Sequence, residues 1–327
     1  MKNTQVIQLM SIVRLSIFML GITMMSCNSK KEQQLPAIGK SVALFDYFSY
    51  KGNDDFYISN PLSDEDYFYN PILPGWYSDP SVCTNGEGDY FLVTSTFTYF
   101  PGVPIFHSKD LVNWKQIGHV LNRASQLVNM EGQKVSGGIF APAISYNPYN
   151  KTYYMVTTNV GAGNFFVKTQ DPFGEWSEPV MLPEVGGIDP SFFFDEDGKA
   201  YIVNNDEAPD NKPEYSGHRT IRIQEFDVKT DKTIGPRKIL VNKGAQPADK
   251  PIWIEGPHLY KINGKYFLMS AEGGTGNWHS EVIFRGDSPM GKFLPWKNNP
   301  ILTQRHLNSD RPNSVTCAGH ADLIQTK

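Results

Sequence analysis

The chain has 327 residues, 40% of them apolar and 13% aromatic, enough for a sizeable core in one large all-β domain or two smaller ones. Its net charge is −4 and it carries no basic tract, which argues against a nucleic-acid partner.

The N-terminus reads as a targeting segment. Lys2 and Arg14 flank a basic n-region, and residues 15–25 form an apolar run too short for a membrane span. Ser26-Cys27 follows, then a polar stretch. This is similar to a bacterial lipoprotein signal over 1–27, with Cys27 as the lipidated first residue, although Met24 stands where Leu is usual. An ordinary signal peptide with an incidental Cys27 is the alternative. Both readings export the protein, and the lipoprotein reading anchors it to an envelope membrane, periplasmic or at the cell surface. Residues 28–40 read as a tether and 41–68 as an aromatic, acidic lead-in. The main domain is expected over 69–327.

Within that domain, short openers recur ahead of aromatic strands. Asp79-Pro80-Ser81-Val82, Asp189-Pro190-Ser191-Phe192 and Glu255-Gly256-Pro257-His258 each precede such a strand, at Tyr90–Val93, Tyr201–Val203 and Tyr266–Met269. Ala141-Pro142-Ala143-Ile144 and Gly319-His320-Ala321-Asp322 are weaker relatives. Anchors at 79, 141, 189, 255 and 320 are 62, 48, 66 and 65 residues apart. Such a repeat of short-strand units predicts a β-propeller, one four-stranded blade per unit, with each opener as an inner strand. Turn signals agree: Asp195-Glu196-Asp197-Gly198 and Asn263-Gly264 fit hairpin turns. Arg219–Phe226 alternates as a half-exposed strand. No long segment holds a helical period, so the expected fold is all-β.

The fifth unit barely starts before Lys327. The expectation is therefore a five-bladed propeller with an incomplete fifth blade, its strand around Ala321–Ile324 left with unpaired edges, unless residues 41–68 complete it. Cys83 and Cys317 could form a bridge outside the cytoplasm, but two small unbonded residues is the favoured reading. No Cys/His spacing of metal-site type is present.

If each opener starts at one mouth of the channel, Asp79, Asp189 and Glu255 converge there. Such a set suits glycoside hydrolysis: one protonated carboxyl serves the leaving oxygen, one carboxylate activates water, and a third raises the acid's pKa. Against this, Asp-Pro taken singly is a common turn signal. Phe97, Phe140 and Trp278 could wall a sugar site, though blade packing explains most aromatics. His320, as a lone His, reads more readily as a hydrogen-bonded core residue. His107, Trp114 and Trp176 read as structural.

Taken together, Tyr77–Ser81, Thr94–Phe97, Phe100–Val103, His107–Trp114, Gly137–Pro142, Glu255–Tyr260, Ala271–Gly274 and Gly319–Ala321 resemble glycoside hydrolase family 43, in particular its β-xylosidase branch. The resemblance implies a five-bladed propeller and single-displacement inversion. It implies general base for Asp79, pKa modulator for Asp189 and general acid for Glu255. It makes Phe97 a wall of the terminal sugar's pocket, and His320 a channel residue that orients the site or helps hold a structural calcium ion; no other cofactor is required. The expected substrates are xylan- or arabinan-derived oligosaccharides carrying terminal xylose or arabinofuranose. An endo-acting arabinan hydrolase, an inactive carbohydrate-binding fragment and an interaction scaffold are the alternatives. Ala143 stands where the family often has an acid, and Phe140 where Trp is frequent. The family's substrate-facing arginine, carried further along the fifth blade, has no counterpart before Lys327.

Overall fold

The computed structural model describes residues 55–63, 66–312 and 314–326. Cys27, the signal-like segment and most of the lead-in lie outside these residues. The chain divides into two units, Met1–Pro61 and Leu62–Lys327. The described part of the first holds one short helix, α1 (Asp55–Ser59). Among the described residues no helix is long and apolar enough to cross a membrane.

The second unit is an all-β propeller of four antiparallel sheets. Blade one runs through β1 (Ser81–Thr84), β2 (Tyr90–Val93), β3 (Gly102–Ser108) and β4 (Lys115–Leu121); blade two through β5 (Ala143–Asn147), β6 (Thr152–Asn159), β7 (Gly163–Thr169) and β8 (Val180–Met181). Blade three comprises β9 (Ile188–Phe194), β10 (Ala200–Glu207), β11 (Arg219–Asp227) and β12 (Lys232–Asn242). Blade four comprises β13 (Glu255–Ile262), β14 (Lys265–Glu272), β15 (Ser280–Gly286) and β16 (Leu294–Pro295), with β17 (Leu302–Thr303) also pairing β15. The strands expected at Tyr90–Val93, Tyr201–Val203, Arg219–Phe226 and Tyr266–Met269 fall on β2, β10, β11 and β14. Asn263 and Gly264 take φ of 52° and 73°, the two positive values a two-residue hairpin turn needs.

Strand alternation explains why β6 is buried along its whole length. Successive side chains point to opposite faces, and both faces meet another blade. Tyr153 and Met155 join Phe91, Val93 and Ile105 of blade one. Tyr154 and Val156 join Phe192, Ile202 and Phe226 of blade three. Tyr201 and Val203 then join Leu259, Leu268 and Val282 of blade four. The core is thus a series of apolar layers between blades, and the inner strands β1, β5, β9 and β13 pack in sequence.

Polar side chains tie these inner strands together. Ile144 N donates to Ser81 Oγ at 3.1 Å, Ser145 Oγ to the Phe192 carbonyl at 3.1 Å, and Ser191 Oγ to the Pro257 carbonyl at 2.5 Å. Residues 321–323 bridge β13 and β1. Asp322 accepts from Tyr260 OH at 2.6 Å on Oδ1, and from Ser81 Oγ at 2.7 Å and Val82 N at 3.0 Å on Oδ2. Leu323 N donates to Tyr260 OH at 2.9 Å. The strand expected around Ala321–Ile324 is not present: residues 318–326 carry no strand pairing and are held by these side chains instead. Cys83 and Cys317 are both free thiols.

Candidate active site

Four openers share one backbone device. Asp79, Asp189, Gly256 and His320 take left-handed conformations with φ of 53°, 52°, 54° and 54°. For a non-glycine residue this costs on the order of 1 kcal/mol, and such strain clusters at functional sites. The repeat position in blade four is therefore Gly256, and Glu255 lies one residue ahead of it, which corrects the phase read from sequence. A register shift in the β13–β14 pairing between Glu255 and His258 absorbs the extra residue, as a β-bulge does. Only glycine fits at 256: a Cβ there would lie 2.5 Å from the His320 ring.

These residues converge. Asp79, Asp189, Gly256, His258 and His320 line a single axial cavity of about 10 Å³, together with Ala141–Ala143. His320 Nδ1 stands 3.5 Å from Asp79 Oδ1. Asp79 Oδ2 accepts from Ser95 Oγ at 2.6 Å. Asp189 Oδ2 accepts from Gly256 N at 3.1 Å, and Asp189 N donates to Thr158 Oγ1 at 3.2 Å.

The electrostatics separate the three acids. Burial, and then the neighbouring Asp189 charge, push Glu255 up to about 8, against the opposing pull of His320. Burial also raises Asp189, to about 6; His320 pulls it down and Asp79 pushes it up. Both carboxyls therefore hold protons above the usual carboxylate range. Burial alone would lower the His320 imidazole. The carboxylates of Asp189, Asp79, Glu255 and Glu281 outweigh it and raise its pKa. At neutral pH Glu255 can therefore give a proton. Asp79 is the most open of the three, with 26% of its side chain exposed and a hydroxyl donor fixing one oxygen.

Aromatic residues gather around Phe97, two residues past Ser95. Phe97, itself left-handed with φ of 52°, is flanked by Phe140 at 5.9 Å edge-on and Trp76 stacked at 5.4 Å. Gly138 allows this approach, since a Cβ there would sit 2.3 Å from the Phe97 carbonyl. Trp278 is not part of this group. It lines a separate cavity of about 380 Å³ with Glu272 and Arg305, whose guanidinium lies over its ring at 5.6 Å. Its neighbour His279 packs against Gly319 instead.

Sequence reasoning missed Trp76, Ser95, Trp253 and Glu281. Trp76 lies three residues before Asp79, and Trp253 two before Glu255, with the Arg219 guanidinium 4.6 Å from its ring centre. Their closeness in sequence to the acids was the available signal. His107 and Trp114 are structural as expected: His107 pairs with Asp89 at 2.6 Å, and Trp114 Nε1 donates to the Leu111 carbonyl at 2.9 Å.

Calcium takes six to eight oxygen ligands. Among the described residues no three His, Cys, Asp or Glu side chains come together as metal ligands. A calcium ion beside His320 would therefore have to draw most of its oxygens from backbone carbonyls and water.

Fold and site together define a β-propeller whose inner strands bring two aspartates and a histidine to one axial cavity, beside a buried glutamate of raised pKa. The family model for glycosyl hydrolases family 43 matches residues 68–327. A xylosidase/arabinosidase of Butyrivibrio fibrisolvens is 48% identical over 78% of this chain and 48% of its own length. A non-reducing end alpha-L-arabinofuranosidase of Bacteroides ovatus is 41% identical over 80% of this chain and 46% of its own. The crystal structure of a GH43_12 protein retrieved from capybara gut metagenome superposes with a TM-score of 0.78 at 55% identity, covering 84% of this chain and 50% of that one. The chain belongs to glycosyl hydrolase family 43. It spans about half the length of the relatives it matches.

Proposed function

We propose that the protein is an inverting glycoside hydrolase that removes terminal xylose or arabinofuranose from plant cell-wall oligosaccharides. The observation that carries this reading is that Asp79 and Asp189 line one axial cavity with His320, while Glu255, next to the cavity residue Gly256, feels both aspartates and is held protonated near neutral pH. Glu255 donates its proton to the leaving oxygen as the glycosidic bond breaks. Asp79 takes a proton from the attacking water, whose oxygen bonds the anomeric carbon from the opposite side. Asp189 keeps Glu255 protonated and, through Gly256 N, fixes the backbone beside it. Phe97 and Phe140 wall the terminal sugar. The named activities of the relatives support this substrate class.

The test is release of p-nitrophenol from β-D-xyloside and α-L-arabinofuranoside, with proton NMR of the first-formed sugar. Turnover with inverted configuration is expected; retention, or binding of both glycosides without turnover, would overturn the reading.

The same reading makes residues 319–324 the inner edge of a fifth propeller unit. Support comes from the left-handed His320, from the Asp322 bridge between β13 and β1, and from the outer apolar face of blade four. There Phe267, Ile283, Leu294 and Trp296 line a cavity of about 660 Å³. Asp322→Ala should lower the melting temperature by several degrees; unchanged melting would remove the bridge from the account. For location, lipidation at Cys27 is proposed, and unchanged membrane fractionation of Cys27→Ser would discard it.

A further inference from the structure

Glu281 sits in β15, fully buried, outside the acid–base set just described. It lies two strands from Glu255 in register, because Ala271 pairs with both. Its Oε2 accepts from Ala321 N at 2.9 Å, while Oε1 is buried without a hydrogen-bond partner. A carboxyl in such a place is costly to bury, so its retention asks for a use.

The openers supply one. Position +1 is Pro80, Pro142, Pro190 and Pro257 in the first four units, and proline has no N–H to satisfy. Ala321 departs from that pattern and exposes a donor, which Glu281 accepts. The residue immediately before it is His320, left-handed and 3.5 Å from Asp79. Residues 318–326 have no strand ladder, so side chains must fix them. Asp322, Tyr260 and Ser81 hold residues 322–323 from one side. Glu281 holds the 320–321 peptide from the other.

We propose that Glu281 is a positioning residue that clamps the His320–Ala321 backbone and so aims the His320 imidazole at the catalytic carboxylates. The proposal rests on the hydrolase reading for its kinetic consequence but not for its geometric one. Burial, set against the Ala321 hydrogen bond, pushes the Glu281 carboxyl up to about 8.

Three variants of the full chain separate the clamp from simple packing. Glu281→Gln removes the titratable proton but keeps an acceptor oxygen. Glu281→Leu removes the acceptor. Ala321→Pro removes the donor, using the residue that the other openers carry. Histidine-labelled protein is titrated by NMR, with the His320 signal assigned by its loss in His320→Asn. The His320 pKa should fall by about one unit in the Leu and Pro variants relative to Gln, as the ring leaves its acidic neighbours. On p-nitrophenyl glycosides, kcat should fall about tenfold in Leu and Pro with KM within about threefold, and Gln should restore most of it. A His320 titration alike in Leu, Pro and Gln would overturn the clamp, as would a Gln loss equal to that of Leu. If Leu does not fold, the Pro–Gln contrast decides. If the wild type turns over neither glycoside, the hydrolase reading fails while the titration still judges the clamp.

Discussion

Strand β9 carries a buried aspartate at each end, and the two have opposite fates. Asp189 at its start is 6% exposed and its pKa is raised; Asp195, just past its end, is 2% exposed and its pKa is lowered. Burial pushes both upward. At Asp195, Tyr266 OH at 2.5 Å, Lys261 Nζ at 2.9 Å and Glu196 N at 2.7 Å outweigh it. At Asp189 one backbone N–H answers, and acids stand nearby. Partners, rather than depth, decide whether a buried carboxyl serves as a staple or as part of an acid–base centre.

The largest expected effects break this comparison at the mouth. Asp79→Asn should lower kcat by about 10²–10⁴-fold on every glycoside, because the base acts in all cases. Glu255→Gln should do so on natural oligosaccharides and much less on p-nitrophenyl substrates, whose leaving group needs no proton. Equal losses on both substrate types would remove Glu255 from the acid role. Asp195→Asn, at the other end of the strand, should leave kcat within about threefold per folded molecule.

Stability should show the reverse order. Asp195→Ala leaves the Tyr266 hydroxyl without its acceptor and Lys261 with Glu196 alone, and should cost about 1–3 kcal/mol by urea unfolding. Asp189→Asn relieves a buried acid and should cost less than about 1 kcal/mol, or stabilise. A greater cost for Asp189→Asn would mean that its bond to Gly256 N matters more than its charge.

The acids themselves were legible in the sequence because Asp-Pro and Gly-Pro mark the openers. The blade order was legible because two-faced burial leaves continuous apolar runs such as β6 and β10. The phase of Glu255 was not, because a bulge adds one residue without changing composition. Glu281 was invisible for a similar reason: it lies mid-strand among apolar neighbours, and its partner is a backbone N–H that no motif announces. The placement of Trp278 apart from Phe97 was not legible, because a Gly-rich loop looks the same whether it faces the axis or a neighbouring cavity. The strand expected at 321–324 is replaced by side-chain anchors, since Asp322 and Tyr260 take over what a ladder would do.

The comparison also has a pH signature. Asp189 and Glu255 bind protons in the folded state at pH values where the unfolded chain has lost them. Their contribution is full below the usual carboxylate pKa of about 4 and is lost as pH rises through about 6 and about 8. Asp195 works in the other direction, stabilising above about 4 and losing that contribution as pH falls. Melting temperature should therefore drop by a few degrees, about 2–6 °C, between pH 5 and 8, and Glu255→Gln should flatten that slope. The basic limb of kcat/KM should fall near pH 8, where Glu255 ionises. A wild-type slope unchanged in Glu255→Gln would place the titrating group elsewhere, Glu281 being the next to test.

The smallest effect is expected where the mouth borrows the staple's own device. Ser95 Oγ donates to Asp79 Oδ2 at 2.6 Å, the one side-chain hydroxyl bond to any of the three candidate acids among the described residues. Ser95 is buried, two residues past the end of β2, and its own N–H is bonded to the Ser78 carbonyl at 3.1 Å, so its backbone is held without the hydroxyl. Removing the hydroxyl therefore leaves the fold in place and frees one carboxylate oxygen to turn away from the water it must activate. A hydrogen bond to a charged group is worth about 1.5–3 kcal/mol when lost outright. Asp79 keeps solvent access, which replaces much of that, so Ser95→Ala should lower kcat by about three- to tenfold with KM little changed. Ser95→Thr keeps the hydroxyl and should retain most of the rate if the methyl is accommodated. If Ala and wild type turn over equally, Asp79 is oriented by its left-handed backbone alone, and the contrast with the three-partner Asp195 becomes sharper still.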